Sequence, residues 1–185
     1  RVLDDPVKVQ EFFIEALNAG CEGLMAKSLG EGSVYRAGSR GFLWIKYKKE
    51  YRSEMNDTVD LVAVGAFHGR GRRGGMYGAL LMATYNEEED RFETVSKLGS
   101  GFDDATLALL PGRLDPYRLQ ERHPLVESKM EADVWFEPAL VLEVLGAEIS
   151  LSPIHTCAHG RIRDGAGLAI RFPRFTGTFR DDKRQ

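Results

Sequence analysis

Apolar residues recur at helical spacing near the start of the chain, where Val9, Phe12, Phe13, Ala16 and Leu17 follow Asp5-Pro6 and Gly20 closes the pattern. An acid before the first turn, a proline inside it and a glycine just past the end predict a helix, one that packs rather than reacts. After it the pattern shortens to strand length. Gly23-Leu24-Met25-Ala26 and Leu43-Trp44-Ile45-Lys46-Tyr47-Lys48 read as strands, separated by a Gly/Ser-rich loop over residues 30–41. Residues 50–57 are polar and charged. Few core contacts can come from Tyr51-Arg52-Ser53-Glu54, which predicts a domain boundary there, giving domains 1–52 and 53–185.

Beyond the boundary, apolar runs at residues 61–67, 79–85, 92–98, 134–136 with 140–145, and 168–172 predict about five strands. A helix over residues 103–110, with an acidic first turn, is expected between the third and fourth. The class is α+β, mostly β, and a strand-rich unit of this length with one inserted helix suits a five-stranded Greek-key barrel of the OB type. Glu87-Glu88-Glu89-Asp90 reads as a solvated hairpin tip.

With 185 residues, 43% hydrophobic and 29% charged, the chain can bury a sizeable core. No apolar run reaches the length of a membrane-spanning helix, so no membrane partner is expected. The start, Arg1-Val2-Leu3-Asp4-Asp5, has neither an initiator methionine nor an apolar signal core and reads as an internal cut. Cys21 and Cys157 are too few for a disulfide framework, which points to a reducing, intracellular setting. The net charge of −3 argues against a nucleic-acid partner until it is divided along the chain. Residues 1–52 hold 9 basic against 7 acidic side chains, 53–160 hold 9 against 18, and 161–185 hold 7 against 3. A basic front and a basic tail around an acidic middle fit two phosphate-facing surfaces on a scaffold that stays soluble, although ordinary surface charge fits the composition equally.

Strand alternation puts Trp44, Lys46 and Lys48 on one face. Two like charges there repel unless an anion such as a nucleotide phosphate lies between them; the alternative is a solvated edge strand protected by lysines. Glu22 opens the strand that ends at Lys27 and is either a solvated carboxylate or a ligand to a magnesium ion already bound to phosphate. Arg70, Arg72 and Arg73 lie among glycines 69, 71, 74 and 75, a combination suited either to a phosphate backbone or to a soluble hairpin turn. It is not a P-loop, since no Gly-Lys-Ser/Thr follows. Arg171-Phe172-Pro173-Arg174-Phe175 leads into Arg180-Asp181-Asp182-Lys183 and interleaves aromatics with cations, as contact with sugars and phosphates requires; otherwise it is a last core strand burying Phe172 and Phe175. His155, Cys157 and His159 alternate but lack the Cys-x-x-Cys partner of a structural zinc site.

Together these segments resemble the motifs of ATP-dependent DNA ligases of the archaeal and eukaryotic replicative type, in order and over nearly the whole chain. Residues 22–27 resemble the family's motif IV, 44–49 its motif V, 60–85 the opening of its OB domain and 171–183 its motif VI. Lys97-Leu98-Gly99-Ser100-Gly101-Phe102 is similar to the family's KLGTGF stretch with serine for threonine, and Ile149-Ser150-Leu151-Ser152-Pro153 to its LSLSP with isoleucine for the first leucine.

The resemblance implies the last part of a nucleotidyltransferase (adenylation) domain followed by an OB domain, in an enzyme that joins nicked double-stranded DNA by way of enzyme–AMP and DNA–adenylate. It implies ATP and Mg2+ as cofactors, Lys46 and Lys48 on the nucleotide phosphate, and Glu22 at the metal. Arg180, Asp182 and Lys183 would orient the ATP pyrophosphate, and Arg171 and Phe172 would approach the DNA, with Arg174, Arg70, Arg72 and Arg73 as further DNA contacts. A sliding clamp is a candidate further partner. The compartment would be cytoplasmic in an archaeon or bacterium and nuclear in a eukaryote. The departure from the family is large: the adenylated lysine belongs to a K-x-D-G motif, and in this sequence Asp164-Gly165 is preceded by Ile162 and Arg163. The chain is therefore expected to depend on an upstream part of the ligase for that lysine. The competing class is a non-catalytic OB module that binds DNA. An RNA ligase or capping enzyme shares the lysines but fits the segments at 97–102 and 171–175 less well.

Overall fold

The computed structural model describes residues 1–30, 32–34, 43–48, 57–69, 71 and 74–182, without the side chain of Lys48. The chain divides into two compact units, Arg1–Arg52 and Ser53–Gln185.

In the first unit, helix α1 (Pro6–Asn18) begins where Asp5 Oδ1 accepts the Val7 N–H at 2.8 Å, and Pro6 sits in the first turn, where its missing N–H costs nothing. Gly20, at φ 82°, follows its end. Strands β1 (Gly23–Lys27) and β2 (Trp44–Lys48) pair antiparallel, with Gly23 opposite Lys48, Met25 opposite Lys46 and Lys27 opposite Trp44. Directly opposed residues share a face, so Met25, Lys27, Trp44 and Lys46 lie on one side and Leu24, Ala26, Ile45 and Tyr47 on the other. Tyr47 ties that second side to α1. Its ring is 4.3 Å from Phe13, and its hydroxyl donates to Gln10 Oε1 at 3.0 Å.

Among the described residues, the second unit has a curled, mostly antiparallel sheet of eight strands and a separate two-stranded sheet formed by its tenth and eleventh strands in the numbering used here. In chain order it contains β3 (Thr58–His68), β4 (Tyr77–Asn86), β5 (Arg91–Leu98), α2 (Asp104–Leu114), a single 3-10 turn (Asp115–Tyr117), β6 (Arg118–Leu119), β7 (Val126–Glu127), β8 (Val134–Phe136), β9 (Val141–Leu145), β10 (Glu148–Ser152), β11 (Gly167–Arg171) and β12 (Arg174–Phe179). β3 is the spine. One edge pairs with β4; the other pairs with β9 over Thr58–Val62 and then with β8 at Gly65 and Ala66. The register of β3 against β4 shifts between Ala63 and Gly65, and a Cβ at Gly65 would stand 2.8 Å from Ala132 Cβ, so the close approach of the chain there requires glycine. β3 and β4 are apolar on both faces. Leu61, Ala63, Leu80 and Met82 join a core with Leu98, Leu107, Leu110, Leu114, Phe136 and Phe175, while Val62, Val64, Leu81 and Ala83 face a second cluster with Phe92, Trp135 and Val141.

The mostly β class agrees with the sequence reading, but the elements differ in three ways. The runs at 134–136 and 140–145 are two strands, β8 and β9, because Glu137-Pro138 breaks the ladder between them. β6 and β7 have two residues each, too few to show a period, and β12 hides its alternation by placing Gly177 between Phe175 and Phe179. Helix α2 runs to Leu114, past Pro111, although the sequence predicts a stop at Leu110. Leu114 is fully buried, and that packing outweighs the hydrogen bond lost at the proline.

Candidate functional site

Two surfaces carry the residues singled out by sequence. On the first unit, Lys27 Nζ lies 4.2 Å above the Trp44 ring, on the face shared with Lys46. Lys27, which sequence alternation does not connect to Lys46, joins it there because β1 and β2 are antiparallel. The ring fixes one cation by its quadrupole, and Lys46 is exposed beside it. Lys48 holds the register position opposite Gly23; its side chain lies outside the described atoms. Glu22 is exposed, one residue before β1. A single carboxylate of this kind suits a magnesium ion that keeps waters and shares phosphate oxygens, not an all-protein cage. Among the described residues, no group of three or more metal-ligating side chains is assembled.

On the second unit, an open cleft of about 750 Å³ is lined by Phe67, His68, Gly69, Gly78, Lys97 and Asp133. A second cleft, of about 300 Å³, is lined among others by Lys97, Ser150, Ser152, Arg171 and Phe172. Lys97 belongs to both. Its ammonium lies 3.6 Å above the Phe67 ring, so the cation faces an aromatic surface while the Asp133 carboxylate is taken by the His68 N–H at 2.7 Å. Gly69, on the lining of the larger cleft, donates its N–H to Met76 O at 2.9 Å; Arg70, Arg72 and Arg73, between the two, lie outside the described residues.

The tail divides in a way neither sequence reading foresaw. Phe175 is buried, its ring 5.1 Å from Phe102 and 5.0 Å from Phe179, as the core-strand reading expects. Phe172 is exposed, in the turn between β11 and β12, at φ 51°, with the Arg171 guanidinium 5.2 Å from its ring. Arg174 opens β12 and is exposed. Arg180, just past β12, donates from Nε to Asp60 at 3.0 Å and from Nη2 to Glu143 at 2.6 Å, and the Asp60 hydrogen bond raises its pKa further. Arg113 on α2 pairs with Asp181 and lies 4.6 Å from the Phe179 ring. Asp182 is exposed, and Lys183 lies outside the described residues. The structure thus lines one cleft with Lys97, Arg171 and Phe172, while Arg174, Arg180 and Asp182 are not among its lining residues. Lys97 and Phe67 are not among the binding residues that the sequence predicts. The sequence signal for Lys97 is strand alternation, which sets it on the face opposite Ser96 and Leu98; in the structure those two are buried and Lys97 is exposed.

His155, Cys157 and His159 do not converge on a metal. His155 is buried, and burial lowers its pKa; Cys157 is half-buried, and burial raises its thiol pKa; His159 Nε2 is 2.6 Å from Lys129 Nζ. Their segment is held by polar contacts. The Ala158 N–H donates to Glu93 at 2.8 Å, and Thr156 Oγ1 accepts the Thr94 N–H at 2.8 Å and donates to Glu127 O at 2.7 Å. Burial alone would raise the Glu93 pKa, but the Ala158 N–H, the Asn86 amide and Arg91 lower it overall.

Residues 1–48 match the model for the ATP dependent DNA ligase domain, and residues 73–183 the model for the ATP dependent DNA ligase C terminal region. The chain is 61% identical over its whole length to DNA ligase 2 of Thermofilum pendens. This chain belongs to the ATP-dependent DNA ligase family. It is also 57% identical, over 99% of its length, to a DNA ligase of Caldivirga maquilingensis. It spans about a third of these relatives, 31% and 30%. Among solved structures, the ligase domain of LigD from M. tuberculosis is similar over 95% of this chain and 49% of that one, with a TM-score of 0.51 at 25% identity. Among the described residues, no helix is long and apolar enough to cross a membrane.

Proposed function

We propose that this chain works as the C-terminal part of a DNA ligase that seals nicks in duplex DNA through enzyme–AMP and DNA–adenylate intermediates, with the nucleophilic lysine supplied by an upstream part. One observation carries the reading: the two units match successive regions of one ligase family in order, while the sequence holds no K-x-D-G tetrapeptide. The first unit is read as the end of the adenylation domain and the second as an OB domain, and the curled sheet around β3 supports the latter.

In this reading Lys46 and Lys48 attract the phosphate of the nucleotide, and the antiparallel register adds Lys27, held over Trp44, to the same face. Glu22 would hold Mg2+ together with phosphate oxygens, and the ion would supply charge neutralisation when bound. Phosphoryl and nucleotidyl transfer depends mostly on positioning and charge neutralisation, which a rigid sheet bearing fixed cations provides. On the second unit, Lys97, Arg171 and Phe172 offer cations beside an exposed ring, a pairing suited to phosphate and sugar of the DNA, and Arg70, Arg72, Arg73 and Arg174 extend it. Arg180, Asp182 and Lys183 would orient pyrophosphate. In the described conformation Arg180 is committed to Asp60 and Glu143, so this role requires those ion pairs to open. A sliding clamp remains a candidate partner.

The test is complementation. Mixed with a separately made upstream part of the Thermofilum pendens relative, the chain is expected to restore sealing of a nicked duplex. Incubated alone with labelled ATP and magnesium, it is expected to form no covalent AMP adduct. DNA binding without restored sealing would favour a non-catalytic binding module instead.

A further inference from the structure

The turn between β11 and β12 combines a cost and a brace. Phe172 adopts the left-handed backbone region at φ 51°, which a side chain with a Cβ rarely enters, and it does so while leaving its ring exposed in the cleft wall. Such a conformation persists only where its surroundings enforce it. Two residues from the loop after β5 do so. Ser100 Oγ donates to Pro173 O at 2.7 Å, and Ser100 O accepts the Phe175 N–H at 3.0 Å, so one residue grips the turn on both sides of Arg174. Gly101, at φ 88°, lies so close beneath that a Cβ there would stand 2.3 Å from Phe175 O, 2.5 Å from Phe175 N and 2.8 Å from Arg174 Cγ. Below the turn, Phe175 is packed between Phe102 and Phe179. The loop that follows β5, whose Lys97 lines the cleft, therefore also braces the turn that lines it through Phe172 and Pro173.

We infer that Ser100 and Gly101 are positioning residues that hold the turn in its strained form and so preset Arg171 and Phe172 for DNA before it arrives. The inference rests on the reading that this turn faces DNA. Preorganisation of this kind removes an ordering cost from binding, so its loss weakens affinity without removing any contact residue. The conservative exchange is Ser100→Thr, which keeps the hydroxyl; Ser100→Ala removes it.

The experiment measures the affinity of the chain for a nicked duplex at fixed salt, its melting temperature, and sealing of a pre-adenylated nick in the mixture with the upstream part. Variants are Ser100→Ala, Ser100→Thr, Gly101→Ala, Arg171→Ala and Phe172→Ala. Loss of the Ser100 hydroxyl is expected to weaken binding and slow sealing about fivefold, while Ser100→Thr stays within about twofold of the parent, both with little change in melting temperature. Gly101→Ala is expected to weaken binding at least as much; if it fails to fold, the Ser100 pair still decides. Equal losses in Ser100→Ala and Ser100→Thr, or parent-like binding by Ser100→Ala while Arg171→Ala and Phe172→Ala weaken it, would overturn the inference and leave the DNA-facing reading standing. Parent-like binding by Arg171→Ala and Phe172→Ala would overturn that reading as well.

Discussion

Arg180 Nη2 lies 2.6 Å from Glu143 Oε2, and its Nε lies 3.0 Å from Asp60 Oδ1. One guanidinium thus fastens the end of β12 to β9 and β3 at once, and both carboxylates are largely covered while the arginine is a third exposed. Arg180→Ala is expected to lower the melting temperature, because it leaves two carboxylates facing each other across the gap. Arg180→Lys should recover little of it, since a single ammonium does not reproduce the guanidinium fork. Unchanged melting in both variants would show that the clamp does not hold the sheet.

Lys97 sits on both clefts over an aromatic ring. If it neutralises one phosphate, Lys97→Ala should weaken DNA binding alike for all sequences and reduce the slope of log affinity against log salt by about 1. A salt titration by fluorescence anisotropy reads this directly, and an unchanged slope would remove Lys97 from the interface.

Acid should loosen the segment after β10 in two stages. Both His155 and Glu93 have folded pKa values below their ordinary ones, 6.5 and 4.5. A group shifted down contributes stability above its unfolded pKa and loses it as pH falls toward the folded one. The melting temperature is therefore expected to start falling below pH 6.5 through His155 and to fall further below 4.5 through Glu93. His155→Leu should flatten the first stage. Glu93→Gln should flatten the second and also lower the melting temperature at neutral pH. Melting curves taken across this range are the check, and identical profiles for parent and variants would reject the assignment.

Gly69, just past the end of β3, and Gly78, near the start of β4, touch: a Cβ on Gly78 would stand 2.5 Å from Gly69 Cα. Gly78→Ala is expected to cost about 1–3 kcal/mol in urea unfolding, by forcing the two backbones apart. If Arg70, Arg72 and Arg73 contact DNA, as proposed, it should also weaken DNA binding, because they follow Gly69 directly in the sequence. The control is Gly112→Ala in α2, where nothing lies within 4 Å of the added carbon; a small gain of about 0.5–1 kcal/mol is expected there.

Local chemistry was legible where a short stretch determines its own structure. Asp5-Pro6 with Gly20 marks α1, and the acidic run at 87–90 marks the β4–β5 connection; its carboxylates are less free than a solvated tip implies, since Arg161 pairs with Glu88 and Glu89. What was not legible depends on partners distant in sequence. Nothing around Ser100 says that it will meet Pro173, and nothing around Arg180 names Asp60, 120 residues earlier. The tail was ambiguous because alternation cannot place a left-handed residue: Phe172 at φ 51° breaks the period between two strands and sends one aromatic outward and the next inward. The face bearing Lys46 was half legible, since alternation grouped the residues of one strand but only the register with β1 added Lys27.

β3 is hydrogen-bonded along both edges, to β4 on one side and to β9 and β8 on the other. Its amides alternate between the two edges, and those from Val62 to Ala66 belong to buried residues, so their hydrogen exchange is expected to report opening of the sheet itself and not fraying at its rim. The turn at Phe172 lies outside that ladder and is held through Ser100 instead. Scaffold and turn therefore rest on different hydrogen bonds: losing the Ser100 contact is expected to free the turn while exchange along β3 stays as it was.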